Sequence, residues 1–373
     1  MLFAPRFAAL FLVLGASLGA CSSQPGPGAS GASGGSSVGS GGAGGGAGTG
    51  GSGSGGVGPA PDAAVGETAS GGSGGGGATG GSGGSADGGG DAPTAGPGDG
   101  GGDAVSGGGF WGPNGPKKQF TCPPGPYPAQ TMGASTDVCV GFKYNYTYHE
   151  GPTWIASENA FFFTNFTIFQ PTGGDIIKYT PGGACEVWLH DVGCNGLGVS
   201  PSGNLLGACH GSRAVMEYDV KTKVGRKVAT MANGKMFDAP NDLIARSDGN
   251  VYFSNRTAEN GNRPVGLGEA LVRIDPMGVT SVIQMGGLNG VALSPDETKL
   301  HVVTMGTWTL NAAGVPGQKG GPTPGGDGIA VDCAGNITNN GTNSAYGGPD
   351  GKTLLIVAGT RARTVAVTVP GLP

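Results

Sequence analysis

The sixteen residues Asp238–Phe253, DAPNDLIARSDGNVYF, decide how the rest of the chain is read. They spell a turn, an inner strand at Leu243–Ala245, a second turn at Ser247–Asn250 and an outward strand at Val251–Phe253. Short apolar runs bounded by Asp, Asn, Gly and Pro are the signature of strands joined by tight turns. Asn241 stands nine residues before the turn residue Asn250, and this phase returns along the chain.

The echoes begin at Glu150 (EGPTWIASENAFFFTN), Asn195 (NGLGVSPSGNLLGAC) and Asn289 (NGVALSPDETKLHVV). They continue at Asp327 (DGIAVDCAGNI) and Asn343 (NSAYGGPDGKTLLIVAG). Successive separations are 45, 46, 48, 38 and 16 residues. Four of the five suit the blade of a β-propeller, a four-stranded antiparallel sheet packed radially around a channel. No long stretch has helical periodicity, so the expected fold is all-β, a six-bladed β-propeller. The interval of 16 residues is too short for a blade, so one abbreviated blade is expected near residues 337–342. The stretch Met305–Gly326, rich in Gly and Pro, also leaves little room for a strand pair.

In a propeller the innermost strand of each blade lines the channel, so residues at one phase of that strand converge near the axis. Here the ring is Glu150, Asn195, Asn241, Asn289, Asp327 and Asn343. Two carboxylates and several amide oxygens make a hard-donor set, suited to Ca²⁺ or another hard divalent cation. Any one Asn-Gly or Asp-Gly pair is ordinarily a turn signal. Six in one register point to a polar funnel.

The flanking composition bounds the rest. Of 373 residues 83 are Gly, and residues 22–109 are almost wholly Gly, Ser, Ala, Pro and Asp. Such a stretch cannot bury an apolar core, so residues 21–109 read as a disordered linker, with a mean reach on the order of 50 Å. The foldable domain is 110–373. Setting aside Arg6 and the six linker acids leaves 19 of the 20 basic and 19 of the 25 acidic residues. A near-neutral domain carries no nucleic-acid footprint.

Residues 1–20 read as a signal peptide, with Arg6 before the apolar Phe7–Leu18. Leu18-Gly19-Ala20-Cys21 resembles a bacterial lipobox, which implies lipidation of Cys21 and anchoring to a membrane of the cell envelope. Ser22 after it favours the outer membrane; without the lipid the protein is secreted. Six cysteines remain, Cys122, Cys139, Cys185, Cys194, Cys209 and Cys333, an even number that suggests disulfides outside the cytoplasm. Cys194 and Cys209 flank a hairpin and are placed to face each other. Cys122 and Cys139 are placed to staple the segment before the repeats. No C-x-x-C occurs.

From about His149 to Pro373 the chain resembles the SMP-30/gluconolactonase/LRE-like family of calcium-dependent six-bladed propeller lactonases. The resemblance is carried by Glu150-Gly-Pro-Thr-Trp154, Ala239-Pro-Asn-Asp-Leu243 with its following SDGNVYF, Leu288-Asn-Gly-Val-Ala292 and Gly326-Asp-Gly-Ile-Ala330. It implies a metal site at Glu150, Asn241, Asn289 and Asp327, one divalent cation, and hydrolysis of a small lactone or ester, with Asp327 as the catalytic base. Cys209-His210-Gly211-Ser212-Arg213 is similar to a C-E-H-G-x-R-R stretch of bacterial members, placing His210 in the substrate pocket and Arg213 at its edge. Asn195 completes the substrate-facing set. Outside the low-complexity stretch there is no G-x-S-x-G elbow, no H-E-x-x-H and no phosphate-cradling loop. The short blade keeps a second function class open, a non-catalytic tethered propeller that binds a ligand or protein partner.

Overall fold

The structure is a computed structural model that describes residues 109–112 and 115–373. The expected signal peptide, the expected lipidation site Cys21 and the expected linker lie outside the described residues, apart from the linker's last residue, Gly109. Strand β1 (Met132–Asp137) comes first. The first blade is β2 (Tyr148–Ile155), β3 (Ala160–Phe166), β4 (Asp175–Tyr179) and β5 (Cys185–Leu189). The second is β6 (Leu197–Val199), β7 (Leu205–Cys209), β8 (Ala214–Tyr218) and β9 (Gly225–Ala229). A small hairpin, β10 (Met231–Ala232) and β11 (Lys235–Met236), leads to the third blade. That blade is β12 (Ala239–Ala245), β13 (Val251–Arg256), β14 (Ala270–Ile274) and β15 (Thr280–Met285). The fourth is β16 (Val291–Leu293), β17 (Lys299–Val302), β18 (Gly306–Leu310) and β19 (Pro316–Gly320). A two-stranded ribbon follows, β20 (Ala330–Val331) and β21 (Ile337–Thr338). The last blade is β22 (Asn343–Gly347), β23 (Thr353–Ala358) and β24 (Arg361–Val367), with β1 as its outer strand.

Six four-stranded blades are therefore not present: there are five, and the ribbon stands between β16 and β22 around the axis. The shortening falls at Ala330–Thr338, slightly before the expected 337–342. Met305–Gly326, expected to be too poor for a strand pair, forms β18 and β19, with Trp308 opposite Lys319. The outer strand of a blade is half exposed and accepts Gly and Lys that an inner strand would not.

Blades pack face to face through separate apolar clusters. Phe162, Ile176 and Trp188 of the first blade meet Leu205 and Tyr218 of the second. Leu206 and Val215 of the second meet Phe253 and Val272 of the third, with Trp111 inserted at their edge. Around the ribbon the packing thins to Ala292, Val303, Ile329 and Val331 on one side. On the other side Ala330 lies among Tyr346, Leu354 and Val365.

The chain ends close this weak corner. Cys122 is bonded to Cys333 in the ribbon's turn, across 211 residues of sequence. Gln130 donates to Asp332 Oδ2 (3.1 Å) and to the Val369 carbonyl (3.0 Å). The Cys333 amide donates to Pro370 O (2.7 Å) and Leu372 N to Val331 O (3.1 Å). The other disulfides are Cys139–Cys185 and Cys194–Cys209. The hairpin pair is as expected; the Cys122–Cys139 staple is not, because Cys122 reaches the ribbon and Cys139 the outer strand of the first blade.

Closing a loop of that length in the unfolded chain should make Cys122–Cys333 worth about 5 kcal/mol. Cys122→Ser with Cys333→Ser is expected to lower unfolding free energy by that amount in denaturant titration. Cys194→Ser with Cys209→Ser, whose loop is short, should cost less.

Candidate functional site

The inner strands come together through the residue that follows each ring position. The Gly196 amide donates to the Asn241 carbonyl (2.5 Å), Gly290 N to Asp327 O (2.9 Å), and Gly328 N to Thr342 O (2.7 Å). A Cβ at Gly196 would lie 2.5 Å from Asn241 O, and one at Gly328 would lie 2.0 Å from Asn343 Cγ. Glycine is the residue that permits such an approach. The recurring X-Gly pair is thus an inter-blade contact rather than a turn.

Bulges help to aim two of these side chains. Pairing of β2 with β3 shifts register between Glu150 and Thr153, and β12 with β13 shifts between Pro240 and Leu243. An extra residue on one strand re-aims the side chains around it. Thr164 Oγ1 ties the first bulge down, donating to Glu150 O (3.1 Å) and Asn195 O (2.8 Å). At the second, the Asp242 amide donates to Ser254 Oγ (3.0 Å).

Glu150, Asn195, Asn241 and Asn343 are buried, while Asn289 and Asp327 are half-buried. Asn289 Nδ2 donates to Asp327 Oδ1. Burial, then the charges of Asp327 and Asp242, push the Glu150 carboxyl well above its ordinary range, against the hydrogen bonds of Gly151 N and the Asn343 side chain. Burial also raises Asp327, opposed by the Arg256 cation and the Asn289 amide. Neither ring carboxylate has an ion-pair partner among the described residues.

Sequence reasoning missed Asp242. It is buried, and its carboxylate accepts from Leu243 N (3.0 Å) and Val291 N (3.2 Å). Burial first, and Asp327 further on, push it up to about 7. A signal was available: Asp242 occupies the phase that holds Gly151, Gly196, Gly290 and Gly328 elsewhere. A carboxylate where the pattern asks for glycine marks a position with its own role.

The donor chemistry fits a hard divalent cation. Carboxylates whose charges raise Glu150 and Asp242 make no ion pair among the described residues, and the oxygens around them are amides and carboxylates. Among the described residues no three His, Cys, Asp or Glu side chains gather as a metal cluster, so carboxylates alone do not make a cage. Amide oxygens of Asn241 and Asn289 would complete one. A cavity of about 40 Å³ lies beneath the ring, lined by Asp242 and Asn343 and reached by Leu372 and Pro373. A roomier cavity, about 490 Å³, lies between Lys117, Gln119 and Phe120 and the turns at Ala156–Asn159 and Ser202–Asn204 and contains none of the ring residues.

His210 and Arg213 stand away from the axial ring. Arg213 donates to the Phe237 carbonyl and pairs with Asp238 at 3.3 Å, so it braces the entry to β12. His210 is fully buried against Phe166, with ring centroids 5.2 Å apart, and neither ring nitrogen is hydrogen-bonded.

These features define a β-propeller with an acid-and-amide site at one end of its axis. Residues 148–345, more than half of the chain, match the SMP-30/Gluconolactonase/LRE-like region, and the chain belongs to this family. It is 28% identical over 264 residues to the Gluconolactonase of Zymomonas mobilis subsp. mobilis, covering 57% of this chain and 70% of the relative. A solved structure provisionally named a gluconolactonase superposes with TM-score 0.55 at 23% identity, over 66% of this chain and 96% of its own. A gluconolactonase from Xanthomonas campestris gives 0.53 at 20%, over 60% and 87%. At these identities the two structures establish the shared fold.

The His210 environment sets a pH dependence. Burial, then the Arg263 cation, lowers its pKa from 6.5 to about 4. Between those values the unfolded chain binds a proton that the folded chain does not, so stability rises with pH across the window and is complete above it. The loss on acidification from about 6.5 to about 4 should reach about 3 kcal/mol. His210→Phe should flatten that part of the slope in urea titrations at stepped pH.

Proposed function

We propose that this chain hydrolyses a lactone or related ester with the help of one divalent cation, most simply Ca²⁺. The observation that carries the reading is the set Glu150, Asp242 and Asp327, carboxyls raised by burial, with the Asp327 charge raising the other two, beside the Asn side chains of the ring. The family membership and the Zymomonas mobilis relative support the reaction class.

Glu150, Asn241, Asn289 and Asp327 would hold the cation through carboxylate and amide oxygens. When bound, it supplies Lewis-acid polarisation of the substrate carbonyl. Asp327 is the base. It is half-exposed where Glu150 and Asp242 are buried, and its raised proton affinity suits it to take the proton of the attacking water. The Asn289 amide, donating to Asp327 Oδ1, fixes which oxygen is left to act. Asp242, held by two backbone N–H groups, stays in place beneath the ring. Asn195, buried in the ring with no side-chain hydrogen bond among the described residues, would face substrate. His210 would border the pocket behind Phe166, with Arg213 bracing its edge.

The three disulfides suit an oxidising compartment, which supports export and the proposed anchoring through Cys21 at the cell envelope.

On a panel of aldonolactones, purified protein should show activity that chelation abolishes and added Ca²⁺ restores. Asp327→Asn should lower kcat by at least about a hundredfold, the scale of a lost general base. Activity indifferent to both chelator and mutation would sink the hydrolase reading. No activity on any lactone would leave a ligand-binding propeller.

A further inference from the structure

The lactonase reading leaves one cation at the site without a task. Arg256 ends β13, and its register opposite Ala239 sets it at the end of the third blade where Asn241 and the ring lie. Strand alternation puts it on the same face as Ser254, whose hydroxyl accepts the Asp242 amide. It is half-buried, yet its Nε is enclosed without an acceptor. Among the described residues its guanidinium makes no hydrogen bond and no ion pair. The other arginines of this end are engaged: Arg213 with Asp238, and Arg263 with the carbonyls of His210 and Gly211.

The Arg256 cation acts on Asp327 of the ring and, outside the ring, on Glu259 and Tyr148. None of these approaches within ion-pairing distance of it. Glu259, three residues on, is buried with Oε2 lacking any donor. An enclosed donor and an enclosed acceptor, three residues apart in sequence and each left open, are a costly arrangement unless a ligand meets them. A planar guanidinium with free N–H groups matches a carboxylate in two parallel hydrogen bonds, and a carboxylate oxygen such as Glu259 Oε2 matches a hydroxyl.

We infer that Arg256 is a specificity-determining residue that binds a carboxylate on the substrate, so that the preferred class is a polyhydroxylated lactone bearing a free acid group, with Glu259 receiving one of its hydroxyls. This rests on the lactonase reading and narrows it. With a divalent cation balancing Glu150 and Asp327, the Arg256 guanidinium keeps its N–H groups free of them, and a substrate carboxylate is the partner that can use those donors. A neutral sugar lactone would enter the same site but leave the guanidinium unmet.

The test compares glucarolactone, which carries a carboxylate, with neutral gluconolactone, on the full-length protein in Ca²⁺. Wild type should favour glucarolactone in kcat/KM. Arg256→Met should lower the ratio of the two kcat/KM values by at least about tenfold, the scale of a charge-assisted pair. Arg256→Lys should recover part of it. A wild type that prefers the neutral lactone would overturn the inference, and so would a ratio unchanged in Arg256→Met, because Arg256 would then serve only the ring carboxylates. If neither lactone is hydrolysed, the lactonase reading fails by itself and binding decides the matter. A thermal upshift with glucarolactone, absent with gluconolactone and lost in Arg256→Met, upholds the carboxylate site; no upshift refutes it. Should Arg256→Met not fold, the wild-type preference and the Arg256→Lys ratio decide in its place.

Discussion

The contact on which the molecule turns is the close approach of neighbouring inner strands at glycine. Where Gly196 meets Asn241, and Gly328 meets Thr342 and Asn343, the backbones touch with no room for a β-carbon. This closeness brings residues more than forty positions apart in sequence to one axis. It also dictates the chemistry available there. The residue before each glycine faces the channel, so the channel is lined by whatever the chain places at that single phase. A substitution at one of these glycines would act on two blades and on the site at once.

The second constraint is the short ribbon. Five four-stranded blades and two brief strands close one circle only because other parts of the chain brace the thin sector. The ribbon offers few side chains to its neighbours, and the apolar clusters beside it are small. Covalent linkage through Cys333, the Gln130 side chain and the backbone of Val369–Leu372 take up the function that outer strands serve elsewhere. Polar and covalent ties thus stand in for hydrophobic area.

How much of this could be read from residues alone follows from the range of the interactions. The all-β class, the phase of Glu150, Asn241, Asn289 and Asp327, and the deficit after Asp327 all arise from local turn chemistry repeated at intervals, and they were legible. The meaning of the X-Gly pair was not, because a turn and a strand contact ask for the same residue. Asp242 was overlooked for a related reason: beside Asn241 it reads as one more polar residue entering a strand. Its weight appears only when the neighbouring blade brings Val291 N and Asp327 near it. Cysteine pairing across 211 residues, and the use of Met132–Asp137 to finish the last blade, depend on how the circle closes, and no local pattern encodes that. The strand pair β18–β19 was misjudged because outer strands tolerate compositions that inner ones do not.

The position of Cys122 has a mechanical meaning. Tension arriving from the N-terminal side meets, in order, the Phe110–Trp111 wedge, with Trp111 Nε1 bonded to Gly249 O, and then the bond to Cys333. Strand β1, an exposed outer strand that hydrogen bonds alone would let unzip from β24, lies beyond both. A pull from the N-terminal side is therefore borne by a buried indole and a covalent link. The ring of blades is shielded from peeling at its most easily opened seam.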